Sequence, residues 1–309
     1  LGDLDDETAP GNNYIIPSQN SQYKYEVKVV DYNWMEIKDK VGTETLYLTD
    51  DSIIEKDLNF DFMYYGETYN TMTVCSNGWI SFEPCLKKEG SHNECNPLAY
   101  FFNNSITNPL GPYGMIAPFF DDLDDNGQND SVSVYLWTNG ADRAIVQWDN
   151  VANNQTNQNC PDCKKVTFQL ILDGANKSQA GNGEIIFQYK EIYDLDDHGS
   201  TVGIEAPDKD SGTQYLFNLS DNEDPHLHNE LAVKFSTCNG GDLNGDSQWN
   251  VLDIVTLANC VLAENCGDND AWGWAGDLNG DGTWNVLDIV QVANCVLAND
   301  CGGRVDDAS

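Results

Sequence analysis

Apolar and polar residues alternate along most of the chain with the two-residue period of a β-strand. "SVSVYLW" (131–137), "AIVQWDNV" (144–151), "VTFQLILDG" (166–174) and "EIIFQYKEI" (184–192) carry the pattern and are rich in Val, Ile, Phe and Tyr. "STVGIEA" (200–206), "TQYLFNLS" (213–220) and "ELAVKFST" (230–237) continue it, and "TMTVCSNGWISF" (71–82) predicts two short strands about a Ser76-Asn77-Gly78 turn. Clusters of Gly, Asn and Asp, such as "DGANKSQAGNG" (173–183), separate the runs. From about Tyr23 to Ser236 strand thus follows strand, which predicts a large β-sandwich or jelly roll. The period changes after "NGG" at 239–241. Val251, Ile254, Val255, Ala258, Val261 and Leu262 share one face of a helix, and Val286, Ile289, Val290, Ala293, Val296 and Leu297 repeat it. The predicted class is mainly β, with a small α-helical domain at the end. The predicted segments are an N-terminal extension (1–22), a β domain (23–237), a two-helix domain (238–303) and a linker-like end (304–309).

Those helices belong to a duplicated sentence. "GDLNGDSQWNVLDIVTLANCVLAENC" begins at Gly241 and "GDLNGDGTWNVLDIVQVANCVLANDC" at Gly276, 35 residues later. Each opens with D-x-N-x-D, so that Asp242, Asn244 and Asp246 stand at loop positions 1, 3 and 5. Gln248 offers its backbone carbonyl at 7, Asn250 stands at 9, and Asp253 at 12 on the first helical turn. The second copy gives Asp277, Asn279, Asp281, Thr283 (carbonyl), Asn285 and Asp288. Hard oxygen donors at this spacing wrap Ca²⁺, which takes about 6–8 oxygens at roughly 2.3–2.6 Å; Mg²⁺ wants a tighter octahedron. Position 6, where such a loop turns sharply, is Gly282 in the second copy but Ser247 in the first, so the first site is expected to be weaker.

The D-x-N-x-D-x-x-W-N-x-x-D pattern, complete twice, resembles a dockerin, the calcium-loop-and-helix module that docks onto cohesin domains. The resemblance covers about 60 residues (Gly241–Cys301) and implies two antiparallel helices with pseudo-twofold symmetry. Trp249 and Trp284 stand at position 8, where the family packs an apolar residue. Positions 10 and 11, which help many dockerins recognise cohesin, are Val251-Leu252 and Val286-Leu287 in place of the common Ser/Thr pair. These four residues are the candidate partner contacts, for a cohesin-like domain or another copy of the chain, unless a neighbouring domain buries them. The phrases "YGETY", "SNGWISF", "APFFDDL" and "GIE", in that order, resemble an extracellular nidogen-like β-sandwich, an accessory or adhesive module.

Charge and cysteine narrow the setting. A formal net charge of −36 argues against nucleic acid and anionic membrane surfaces and favours metal cations. No apolar run approaches the roughly 20 residues of a membrane span. Ten cysteines suggest disulfides and an oxidising, extracellular setting. The chain starts at Leu1 without a signal-like segment and is expected to be a processed product. Cys260–Cys266 and Cys295–Cys301 are favoured within the repeats, with Cys260–Cys295 as the rival. The in-repeat bond needs the helix to end near 263–265, because six residues of helix span about 9 Å. A Cys160–Cys163 bond is preferred to half a zinc site, Cys85–Cys95 closes a polar loop, and Cys75–Cys238 is left by elimination.

Asp121, Asp122, Asp124, Asp125 and Asp130 crowd into "DDLDDNGQND" as a third candidate calcium site, which Asp50 and Asp51 can join from another strand; a solvated loop is the alternative. His226 and His228, with His92 and His198 elsewhere, leave a three-His zinc site open as a minor alternative. No nucleophile elbow, H-E-x-x-H, phosphate loop or dinucleotide fingerprint stands in the chain. The reading is a non-catalytic, calcium-binding extracellular surface or matrix protein acting by association or self-assembly, including into a filament. The alternative is a carbohydrate-binding module, since eight Trp and fourteen Tyr can stack on sugars.

Overall fold

The computed structural model describes residues 14–16, 25–83, 104–107, 112–124, 132–153, 165–177, 182–192, 200–217, 227–237, 241, 243, 250–266, 276, 278 and 283–298. The chain forms two compact units, one ending at Ser236 and the next beginning at Thr237. The first unit holds β1 (Tyr14–Ile16), β2 (Tyr25–Val29), β3 (Glu44–Leu48), β4 (Ile53–Tyr64), β5 (Glu67–Cys75), β6 (Ile80–Glu83), β7 (Tyr113–Phe120) and β8 (Leu123–Asp124). It continues with β9 (Val132–Thr138), β10 (Arg143–Asn153), β11 (Lys165–Lys177), β12 (Gly183–Glu191), β13 (Thr201–Glu205), β14 (Gly212–Phe217) and β15 (Leu231–Thr237). The second unit carries α1 (Val251–Ala263) and α2 (Val286–Ala298).

One sheet runs β1-β14-β13-β7-β6-β5-β4, and the other runs β2-β15-β12-β11-β10-β9-β3 with β8 on β10. Alternation decides which residues enter the space between them. On β10, Ala144, Val146 and Trp148 point into the main core with Phe168, Leu170 and Leu172 of β11. Trp148 stacks on Phe168 at 5.1 Å between ring centroids, and its indole N–H donates to the Cys75 carbonyl at 3.0 Å. The predicted hairpin is present, with Val74 opposite Ile80. Its Gly78 has φ +76°, and a Cβ there would stand 1.8 Å from the Phe119 carbonyl oxygen, so no other residue fits this corner.

The other faces of these strands are covered as well. β2 and β3 follow one another in sequence but lie at opposite edges of their sheet, so residues 30–43 must cross five strands. Six spacings of about 4.8 Å make roughly 29 Å, and fourteen residues of helix would reach only about 21 Å. The link is therefore extended, and the expected run of strand after strand is interrupted there. Three buried glutamines hold it, one on each of three neighbouring strands. Gln188 accepts from Asn33 N–H at 2.7 Å and donates to the Asn33 carbonyl at 3.0 Å. Gln169 donates to the Met35 carbonyl at 3.1 Å, and Gln147 accepts from Ile37 N–H at 3.4 Å. Ile37 seals the face with Ile145 and Ile171, joined by Met35, Tyr135, Trp137 and Ile186. A shorter segment serves the opposite sheet. Ile106 N–H donates to the buried Gln214 at 2.9 Å, and Gly203 and Gly212 leave the space its side chain fills.

Glu36 ties the crossing link to the sheet. Burial raises its pKa, but Gln147, the Lys190 ammonium, Lys38 N–H and the Trp34 indole outweigh this and bring it down to about 2 from an ordinary 4.5. The folded-state pKa is lowered, so this contribution is present above about pH 4.5 and is lost as the pH falls toward 2. Glu36→Gln should flatten that acid limb in a pH series of denaturation midpoints. Gln169→Ala should cost about 1–3 kcal/mol by stripping the Met35 carbonyl of its donor, and amides 35–38 should exchange faster by mass spectrometry.

Candidate functional site

The C-terminal unit is organised around two carboxylates. Asn250 has extended backbone (φ −149°, ψ −175°) and caps α1, its side chain accepting from Leu252 N–H at 2.8 Å. Asp253, three residues on, completes a capping box, one oxygen accepting from Asn250 N–H at 2.9 Å. Its other oxygen accepts from Leu243 N–H, also at 2.9 Å. One side chain thus joins position 2 of the loop to position 9. The second copy repeats it: Asp288 accepts from Asn285 N–H at 2.9 Å and Leu278 N–H at 3.1 Å, and Asn285 accepts from Leu287 N–H at 2.8 Å. Asp253 and Asp288 both have no exposed surface.

Of the twelve predicted ligands, Asn250, Asp253, Thr283, Asn285 and Asp288 are described. Asp242, Asn244, Asp246, Gln248, Asp277, Asn279 and Asp281 lie outside the described residues. The donor set fits a hard divalent cation. It is all oxygen, it is rich in carboxylate, and each loop closes on a fully buried carboxylate whose charge needs a partner. Bound Ca²⁺ would be held by these loop oxygens and would supply that compensating charge.

The two repeats share a small core of Leu243, Leu257, Cys266 and Val292, with Trp284, Leu278, Ile254 and Ile289 packed against it. A Cβ on Gly276 would meet Leu257 at 2.7 Å and Trp284 at 3.3 Å, so the start of the second loop seats on the first repeat. Glu264, at φ 54°, ends α1 in the left-handed region, and its N–H bonds back to the Cys260 and Val261 carbonyls. The chain then reverses, which brings the Cys260 and Cys266 Cα atoms to 4.8 Å and lets the disulfide form. Cys295 is also disulfide-bonded, and the rival Cys260–Cys295 pairing is not formed.

The expected helix face is split. Leu257 is buried and Ile254 and Val261 pack against the small core, whereas Val251, Val255 and Leu262 are exposed at 62%, 49% and 83%. Leu252 joins these at 56%. Val286, Leu287, Val290 and Leu297 repeat the stripe at 65%, 59%, 51% and 83%. The pattern is inverted because the inward side of the first turn goes to the Asp carboxylate.

Residues 24–239 match the protein family described as NIDO related, more than half of the chain. The chain belongs to the NIDO-related family. Residues 240–297 match the dockerin type I domain, which agrees with the boundary between the two units. No curated protein and no solved structure matches the chain.

In the NIDO-related unit the fold gathers Asp50, Asp51 and Asp122, whose carboxylate oxygens lie within 4.8 Å of one another. Asp51 also accepts from the Asn77 amide at 2.8 Å, and Asn77 in turn accepts from Leu123 N–H at 3.0 Å. Asp121 is buried instead, and one of its oxygens accepts from Asp122 N–H. Only the backbone of Asp124 is described, and Asp125 and Asp130 lie outside the described residues. So do Cys85, Cys95, Cys160, Cys163, Cys238, Cys301, His92, His198, His226 and Trp249. Pairing by elimination fails at Cys75. It stands in the core as a thiol beside Trp79 and Phe120, and burial pushes its pKa up to about 12. The aromatic side chains on the crossing link and beneath it already face cations. Lys190 lies 5.4 Å from the Trp34 ring centroid, Lys40 4.4 Å from Trp137 and Lys38 5.7 Å from Tyr135.

Excess EDTA should lower the helical circular dichroism and leave the sheet signal, because loop carboxylates repel one another without a cation. Asp288→Ala should weaken calcium binding at the second loop by about 100-fold in calorimetric titration. Non-reducing peptide mapping should return Cys260–Cys266; a Cys260–Cys295 peptide would contradict the structure.

Proposed function

We propose that this chain is a secreted, non-catalytic protein of extracellular assemblies that binds two Ca²⁺ ions in its dockerin unit and docks through that unit onto a cohesin-like domain. The observation that carries the proposal is the matched exposure of Val251-Leu252 and Val286-Leu287, at 56–65%. Large apolar side chains gathered on one stripe and bordered by polar residues mark a contact surface. Here they stand twice, at the positions the dockerin pattern reserves for recognition. Calcium fixes the first turn of each helix and so holds these residues in place. The NIDO-related unit is the body that docking would bring into the assembly. A glycan-binding role draws less support, because the Trp34, Tyr135 and Trp137 rings have lysines over them.

Surface plasmon resonance of the full chain over immobilised cohesin domains tests this. Binding should appear in calcium and vanish in EGTA. Replacing all four residues by Asp should weaken it by about 100-fold or more, since apolar anchors at an interface centre carry most of its energy. Equal binding by the fourfold variant would refute the docking face. Absence of cohesin binding together with calcium-dependent light scattering would replace the cohesin-like partner by a second copy of the chain.

A further inference from the structure

The two candidate docking faces are near copies, but their loops are not. α1 and α2 differ only at Thr256/Gln291 and Leu257/Val292. The loops differ at position 6, Ser247 against Gly282, and at position 7, Gln248 against Thr283. Position 7 offers a backbone carbonyl from either residue, so the difference that bears on the metal is at the sharp turn.

In each repeat the docking pair sits between two predicted ligands. Asn250 and Asp253 bracket Val251-Leu252, and Asn285 and Asp288 bracket Val286-Leu287. The brackets are themselves bonded. Asp253 holds Asn250 N–H on one side and Leu243 N–H on the other, and Asp288 does the same with Asn285 and Leu278. Loop start, loop end and the turn that presents the docking pair are therefore one hydrogen-bonded unit per repeat. Whatever closes a loop orders the pair beside it.

We infer that each calcium loop controls its own docking face, and that the α2 face is ordered at lower calcium than the α1 face. The inference rests on the docking function proposed above and adds its regulation. A side chain at a left-handed turn position costs enough to weaken the Ser247 loop by about tenfold relative to the Gly282 loop. The opposing force is the shared core. Leu257, Leu243 and Trp284 meet over Gly276, and strong coupling through them would order both repeats together. That core has only four buried residues, and Cys260–Cys266 and the disulfide at Cys295 clamp the two helix ends without joining α1 to α2. Between the two calcium thresholds the chain offers one face, and above both it offers two.

Hydrogen–deuterium exchange of the oxidised full chain across buffered free calcium reads the two helices separately. Peptides covering 286–298 should become protected at about tenfold lower calcium than those covering 251–263. Ser247→Gly should bring the second midpoint down to the first, and Gly282→Ser should raise the α2 midpoint to that of α1. Coincident midpoints in the native chain, or a split that survives Ser247→Gly, would overturn the inference. The docking function fails separately. If no cohesin domain binds at saturating calcium while the midpoints are split, docking falls and loop control stands. If cohesin binds and the midpoints coincide, only loop control falls.

Discussion

At the start of each C-terminal helix stands a carboxylate with no contact with water, Asp253 in one repeat and Asp288 in the other. A buried charge is tolerated only when hydrogen bonds and an opposite charge compensate it. Two backbone N–H groups supply part of the compensation at each site, and a calcium ion among the loop oxygens supplies the rest. The shape of the unit depends on this compensation. The carboxylate draws the loop start to the helix cap and occupies the inward side of the first turn. The valine and leucine of that turn are left facing outward.

The NIDO-related unit solves a different problem by related means. A sandwich has two inner faces that meet and two outer faces that do not, and here each outer face carries a covering segment. The covers are held by amide side chains that bond backbone groups, Gln147, Gln169 and Gln188 on one sheet and Gln214 on the other. Each satisfied amide is worth little by itself, but stripping one partner leaves a buried polar group unmade, so the covers are fixed in register. The result is a rigid body suited to being carried into an assembly by a separate docking unit.

Much of this was legible in the sequence because the relevant signals are local. The two-residue period found the strands, and the 35-residue repeat found the calcium loops together with the Asp that closes each of them. The need for α1 to stop before Cys266 followed from helix rise alone, and Glu264 provides the stop. What was hidden depends on topology. Gln147, Gln169 and Gln188 occupy the polar positions of alternating strands and look solvent-facing until β2 and β3 are known to lie at opposite edges. Val255 and Leu262 share a helical face with Ile254 and Val261, and only the inward Asp253 shows which part of that face is buried. Elimination among the cysteines failed at Cys75 because a strand-end thiol can be plain core. The meeting of Asp50 and Asp51 with Asp122 needed the Asn77 turn that ties the two corners together.

The central claim is that each buried carboxylate closes one calcium loop. Native mass spectrometry of the oxidised full chain in calcium counts the ions directly. The account predicts that Asp253→Ala and Asp288→Ala each lose one bound calcium relative to the native chain, and that the double variant loses two. An ion count that is the same in all four proteins, or a native chain that gains no mass in calcium, would contradict it.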